Sequence, residues 1–103
     1  KRRLRRALVV DCSHANSNKD YNVQPLVLDN VVNQILEGNS SIVGVMIESN
    51  IHEGSQKIDK DRSKMKYGVS VTDACISWET TERVLRSAAS KLAGFERKVQ
   101  TLP

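Results

Sequence analysis

Three residues with metal-binding side chains stand where apolar or alternating sequence gives way to polar sequence: His14, Glu48 and Asp73. If the stretches before His14 and Glu48 are neighbouring parallel strands, both side chains reach the same edge of the sheet. One imidazole and two carboxylates form a ligand set that suits Mn²⁺, Fe²⁺, Co²⁺ or Zn²⁺. The intervals between the three residues match no local metal motif. The spacing therefore leaves an alternative open, in which they are a hydrogen-bonded histidine, a surface glutamate and a helix-capping aspartate.

A strand–helix–strand unit is predicted to position the first two of these residues. Residues 8–11 and 42–47 are short apolar runs typical of strands, and the second is apolar at successive positions, as in a strand buried on both faces. Between them, Pro25 indicates the first turn of a helix and Gly38 its end. The helix has an apolar face at helical spacing, formed by Leu28, Val31, Val32, Ile35 and Leu36.

The remaining sequence is predicted to form two loops, a short strand and a second helix. Residues 15–24 form a polar loop, and residues 49–72 form a long polar loop that contains His52, which is expected to be solvated. A short strand is predicted at 69–72, where apolar and polar residues alternate. A second helix should begin near Glu79, with a buried face of Val84, Leu85, Ala88, Ala89, Leu92 and Phe95.

The charge distribution argues against a nucleic-acid-binding surface. The formal net charge of +4 is local, because five of the 16 Lys and Arg residues lie among the first six positions. With one Trp, two Tyr and one Phe, the chain has little aromatic surface for stacking bases, so binding of nucleic acid rests only on Lys1 to Arg6. No apolar run approaches the roughly 18 residues of a membrane span. Cys12 and Cys75 are interpreted as reduced, core-packed thiols of a cytoplasmic protein.

Three longer blocks carry a resemblance: DCSHANSNKD at 11–20, GVMIESNIHEG at 44–54 and YGVSVTDACISWETTERVLR at 67–86. In order and spacing they resemble the class I 3-deoxy-D-arabino-heptulosonate 7-phosphate (DAHP) synthases of the fungal and enterobacterial type, over roughly residues 9–92. The resemblance implies an α/β fold, the last two β/α units of a (β/α)₈ TIM barrel, which is incomplete as an isolated chain. The implied division is a basic segment at 1–7, a partial barrel domain at 8–95 and a frayed tail at 96–103.

The resemblance also implies a reaction and a site. The family joins phosphoenolpyruvate to erythrose 4-phosphate, the first step of the shikimate pathway, with a divalent metal that polarises the aldehyde oxygen. It implies metal ligation by His14, Glu48 and Asp73, a catalytic role for His14, and a homo-oligomer for the complete enzyme. The family's cysteine ligand, in a GPCSIHD-type block, and its phosphate-binding KPRT-type block are absent from this sequence. These 103 residues alone are therefore expected to be inactive, and the alternative is a non-catalytic remnant that serves as a binding or assembly module.

Overall fold

Two parallel strands and two long helices organise the chain in a computed structural model that describes residues 6–95. In chain order they are β1 (Leu8–Asp11), α1 (Gln24–Leu36), β2 (Ile42–Met46) and α2 (Trp78–Leu92). Short 3₁₀ turns occur at His14–Ser17, Tyr21–Val23 and Arg62–Lys64. The predicted α/β class is therefore confirmed. The predicted tail at 96–103 and most of the predicted basic segment lie outside the described residues.

The sheet consists of β1 and β2 in parallel register, with Val9 opposite Gly44 and Asp11 opposite Met46. Helix α1 connects the two strands, which makes the β/α/β crossover that parallel pairing requires. The prediction that β2 is buried on both faces is wrong. The helices cover the side of the sheet that Cys12 and Val45 face, whereas Val43 of β2 is 56% exposed and Val9 of β1, on the uncovered side, is 65% exposed. Within the described residues no third layer covers that second side.

The core lies between the covered side of the sheet and the two helices. Its buried members are Cys12, Leu28, Val32, Ile76 and Val84, and Val45, Ile47, Ala88 and Leu92 are among the partly buried residues packed against them. The predicted start of α1 at Pro25 is confirmed to within one residue. Its predicted face is confirmed at Leu28, Val31 and Val32, but Leu36 is exposed. Neither helix within residues 6–95 has the length and apolar character needed to cross a membrane.

Helix α2 begins one residue earlier than predicted, because Ser77 caps it. The Ser77 hydroxyl accepts the backbone N–H of Thr80 over 3.2 Å, which satisfies one free donor of the first turn. The predicted inclusion of Leu85, Ala89 and Phe95 in the buried face is wrong, since all three are exposed. A helix turns about 100° per residue, so only a narrow stripe can face α1. That stripe consists of Val84, Ala88 and Leu92, whereas Thr81, one turn earlier, is buried and hydrogen-bonds to the Ser49 hydroxyl.

The long loop predicted at 49–72 contains no regular strand, and the strand predicted at 69–72 is wrong. Ser70 makes only an isolated bridge to Ser55. The loop is instead folded by the side chain of Gln56, whose Nε2 donates to the Lys66 and Val69 carbonyls over 2.7 and 3.0 Å. Its Oε1 accepts the Lys66 N–H over 3.0 Å. The side chain of Gln56 and single backbone hydrogen bonds, such as that from the Gln56 N–H to the Ser70 carbonyl over 2.7 Å, thus hold this segment without a continuous strand ladder. His52 is exposed, as predicted.

Gly68 should tolerate no side chain, because two separate constraints act on it. Its φ of +74° lies in the left-handed region, and a Cβ there would sit 2.7 Å from the Cβ of Ile51. We expect Gly68→Ala to destabilise the fold by about 1–3 kcal/mol in urea unfolding. Gly54→Ala is the matched control, since Gly54 has φ +90° but open space around its Cβ position. Equal losses in the two variants would show that the contact with Ile51 contributes nothing.

Candidate metal centre

The polypeptide that leaves β1 makes an abrupt turn at His14. The φ of His14 is +43°, a backbone conformation that favours glycine and that costs most other residues of order 1–3 kcal/mol. The turn continues through the 3₁₀ segment His14–Ser17 and ends at Asn18, which is also left-handed. This turn places the imidazole beside the end of β2 and beside the residue that follows the long loop, Asp73.

The three residues singled out from the sequence converge there, as predicted. His14 Nε2 lies 3.0 Å from Asp73 Oδ2 and 3.4 Å from Glu48 Oε1. One ligand atom from each residue lies within 4.8 Å of the other two. The Glu48 side chain is 22% exposed and that of Asp73 is 62% exposed. The cluster is therefore anchored in the structure on the Glu48 side and open to solvent on the Asp73 side.

Asp11, at the end of β1, orients the imidazole of His14. The Asp11 Oδ2 lies 2.8 Å from His14 Nδ1, and the Asp11 Oδ1 accepts the backbone N–H of Ser13 over 2.8 Å. The hydrogen bond from His14, followed by that from Ser13, lowers the pKa of Asp11. Asp11 is therefore ionised at neutral pH, so Nδ1 carries a hydrogen and Nε2 is left to face Glu48 and Asp73.

The free imidazole binds protons more strongly than usual. The hydrogen bond with Asp11, then that with Asp73, raises the pKa of His14 above its ordinary value. In the absence of a metal ion, a protonated imidazole can therefore donate to Asp73 from Nε2. Carboxylates that lie close together repel each other, and a positively charged imidazole beside them offsets that repulsion. The protonated form of His14 is therefore favoured.

The geometry and the chemistry of the donors fit a divalent first-row metal ion. Nitrogen and oxygen ligands lie about 2.0–2.2 Å from such an ion, so neighbouring ligands are about 2.8–3.1 Å apart in an octahedral shell and about 3.3–3.6 Å apart in a tetrahedral one. The 3.0 and 3.4 Å separations at His14 Nε2 fall in these ranges. A hydrogen-bonded second ring nitrogen is also the usual companion of a metal-binding histidine.

Sequence reasoning missed three residues that support the cluster: Asp11, Ser13 and Gln24. The Ser13 hydroxyl donates to Glu48 Oε1, and the side-chain amide of Gln24 binds the backbone of Glu48. The sequence predicts a loop that includes Gln24, but this residue begins α1 and is buried. Its position four residues before Leu28 extends the buried face of α1 by one turn, and that spacing could have identified it.

The sequence model of the DAHP synthetase I family matches residues 1–86, a span that includes all three residues of the cluster. The chain belongs to the DAHP synthetase I family.

Relatives within the DAHP synthetase I family are similar over most of this chain. The Tyr-sensitive phospho-2-dehydro-3-deoxyheptonate aldolase of Escherichia coli is 64% identical over 91 residues, 88% of this chain and 26% of that protein. The phenylalanine-inhibited enzyme of Saccharomyces cerevisiae is 56% identical over 84 residues, 80% of this chain and 23% of that protein. The chain thus spans about a quarter of the length of these relatives.

A solved structure from the family shares the fold. The phospho-2-dehydro-3-deoxyheptonate aldolase of Francisella tularensis superposes with a TM-score of 0.76 and is 41% identical, covering 84% of this chain and 25% of that one. The arrangement of two parallel strands and two helices is therefore also found within a longer chain, that of a phospho-2-dehydro-3-deoxyheptonate aldolase.

The two cysteines lie near the cluster but in the core, as predicted. Both are buried free thiols, and neither contributes an atom to the His14–Glu48–Asp73 cluster. Burial raises the pKa of the Cys12 thiol to about 11 and also raises that of Cys75. A metal ligand or nucleophile needs the thiolate form, which these surroundings disfavour. The cysteines are accordingly packing residues.

Proposed function

We propose that this chain is the C-terminal part of a metal-dependent DAHP synthase, which condenses phosphoenolpyruvate with erythrose 4-phosphate to give DAHP and phosphate. The observation that carries the proposal is the cluster of one imidazole and two carboxylates within 4.8 Å, in a member of this family. Relatives that bear the aldolase name are 56–64% identical to the chain over 84 to 91 residues.

We propose further that residues 8–95 are the last two β/α units of a (β/α)₈ barrel. The parallel pairing of β1 and β2 with α1 between them supports this, as does the similarity in fold to the Francisella tularensis enzyme. In such a barrel, residues that follow the carboxyl ends of strands form the active site. His14 and Glu48 follow β1 and β2 in this way.

His14, Glu48 and Asp73 would hold the metal ion, with Mn²⁺, Fe²⁺, Co²⁺ and Zn²⁺ all compatible with the donor set. When bound, a metal here supplies Lewis-acid polarisation of the aldehyde oxygen of erythrose 4-phosphate. Asp11 keeps the Nδ1 proton of His14 in place, so that Nε2 is the ligand atom. Ser13 donates to Glu48 and limits the directions in which that carboxylate can turn.

The phosphate groups of both substrates need other residues. The cluster presents carboxylates, which repel phosphorylated substrates, and recognition of phosphate calls for Arg and Lys side chains. In the proposed enzyme these cations come from the parts of the barrel that this chain does not contain. This chain contributes the metal ligands, which meet beside the carboxyl ends of β1 and β2.

A hybrid enzyme tests the proposal. In it, residues 8–95 of this chain replace the matching segment of the Escherichia coli Tyr-sensitive relative, which supplies the rest of the barrel. We expect the purified hybrid to release phosphate from phosphoenolpyruvate when erythrose 4-phosphate and Mn²⁺ are present, and EDTA to stop the release. A folded hybrid that lacks turnover with every one of the four metals, while the parent enzyme works, would contradict the proposed function.

A further inference from the structure

Gln24 is a large polar side chain in a fully buried position, with 1% of its surface exposed. A buried amide must place both its N–H donors and its carbonyl acceptor, or it lowers stability. Here both ends bind the backbone of one residue. The Glu48 N–H donates to Gln24 Oε1 over 2.9 Å, and Gln24 Nε2 donates to the Glu48 carbonyl over 3.1 Å. The side chain of Gln24 therefore pairs with Glu48 much as a neighbouring strand would.

This pairing occurs just beyond the last hydrogen bond between β1 and β2. The last hydrogen bond between the strands runs from the Cys12 N–H to the Met46 carbonyl over 2.9 Å. Two residues later, the Glu48 carbonyl accepts from Ile76 over 3.0 Å as well as from Gln24. The Glu48 N–H is held by Gln24. Without the amide, the backbone of Glu48 would lose two of these three hydrogen bonds.

The residue held in this way carries a carboxylate of the cluster. Its Oε1 accepts from Ser13 and lies 3.4 Å from His14 Nε2. The direction in which a side chain leaves the backbone depends on φ and ψ, so a fixed backbone at Glu48 fixes where its carboxylate can reach. The support behind Gln24 is itself rigid, because Leu28 and Val32 of the same helix are core residues.

We infer that Gln24 is a positioning residue, whose amide fixes the backbone of Glu48 and so places the Glu48 carboxylate for metal binding. The inference rests on the proposed role of Glu48 as a ligand. It assigns to the start of α1 a part in the metal site, although Gln24 lies in neither of the strands and contacts no ligand atom of the cluster.

Mn²⁺ binding to the hybrid enzyme described above, in which residues 8–95 of this chain have the rest of a barrel around them, tests this role without an assay of turnover. The wild type here is the hybrid without further substitution. Bound and free Mn²⁺ are measured by electron paramagnetic resonance, and the folded fraction by circular dichroism on the same samples. Gln24→Met keeps the length of the side chain and removes the amide. We expect it to weaken Mn²⁺ binding by about 10- to 100-fold per folded molecule, as losses of outer-shell hydrogen bonds do.

Two control variants separate positioning from stability. Leu28→Ala removes a core side chain one turn along the same helix, so it should lower the melting temperature while the folded fraction binds Mn²⁺ like the wild type. Gln34→Met makes the same substitution on the exposed side of α1, where the amide donates to the Asn30 side chain, and should change neither property. Gln24→Asn is the second test variant, because its shorter amide cannot span both groups of Glu48.

The outcomes distinguish the inference from the proposed function. If the hybrid with Gln24 intact is folded and binds no Mn²⁺, the proposed metal site itself is wrong, and the positioning role with it. If the wild type binds and either Gln24 variant binds within twofold of it, only the positioning role is overturned. Equal weakening in Leu28→Ala would also overturn it, because the loss would then follow stability and not the contact with Glu48.

Discussion

Replacing Glu48 with alanine should abolish Mn²⁺-dependent turnover in the hybrid enzyme, and so should His14→Ala and Asp73→Ala. A metal that activates an aldehyde must be held by several ligands in fixed geometry, and each of these changes removes one of them. The loss should exceed the roughly 10- to 100-fold that changes to outer-shell residues cause. The measurement is phosphate release at a series of Mn²⁺ concentrations.

The same three variants should remain folded. None of the three side chains belongs to the apolar core, so each alanine should change the free energy of unfolding by about 1 kcal/mol or less. Cys75→Ser is the control that should affect stability and not metal binding, since it introduces a hydroxyl at a buried position. It should lower the melting temperature more than it lowers turnover at saturating Mn²⁺. Unchanged Mn²⁺ affinity in Glu48→Ala would contradict the proposal that Glu48 is a metal ligand.

A polypeptide of these 103 residues should show no synthase turnover, with any of the four metals. The GPCSIHD-type and KPRT-type blocks of the resembled family are not in this sequence. The carboxylates of the cluster cannot substitute for the cations that bind two phosphorylated substrates. The assay uses the purified chain with both substrates and Mn²⁺, beside the hybrid enzyme at the same concentration.

This expectation has a definite contrary result. Turnover that survives further purification and disappears with EDTA would show that the two strands and two helices suffice for the reaction. The alternative hypothesis, a non-catalytic binding or assembly module, predicts inactivity in the hybrid as well. The pair of assays therefore distinguishes a working segment of an enzyme from a remnant that has lost the reaction.

The sequence was informative where its pattern had a single physical interpretation. Leu28, Val31 and Val32 recur at helical spacing, and their burial in α1 was predictable. The convergence of His14 and Glu48 followed from their places after two strands that pair in parallel. For the buried face of α1 and for the meeting of His14 with Glu48, the local sequence pattern and the overall fold lead to the same prediction.

The errors arose where partners distant in sequence decide the outcome. The alternation at 69–72 suggested a strand, but Gln56 binds the backbone nearby, and a ladder forms only if another strand is present. The apolar run of β2 suggested burial on both faces, whereas cover on the second face depends on which elements lie there. The helical spacing of Gln24 before Leu28 indicates a buried residue, but its partner, Glu48, lies 24 residues along the chain, and local spacing does not identify that contact.

Because the backbone of His14 is left-handed, the residue that would stabilise the fold most at this position differs from the residue that could bind a metal ion. Selection for stability alone would favour glycine or asparagine there, since those residues adopt a φ of +43° most readily. A histidine gives up part of the marginal stability that natural proteins have. Such trade-offs are characteristic of functional positions, where a stabilising change removes the chemistry. Consensus design or directed evolution for thermal tolerance should therefore hold position 14 fixed, because the substitutions that such a screen rewards would delete the imidazole.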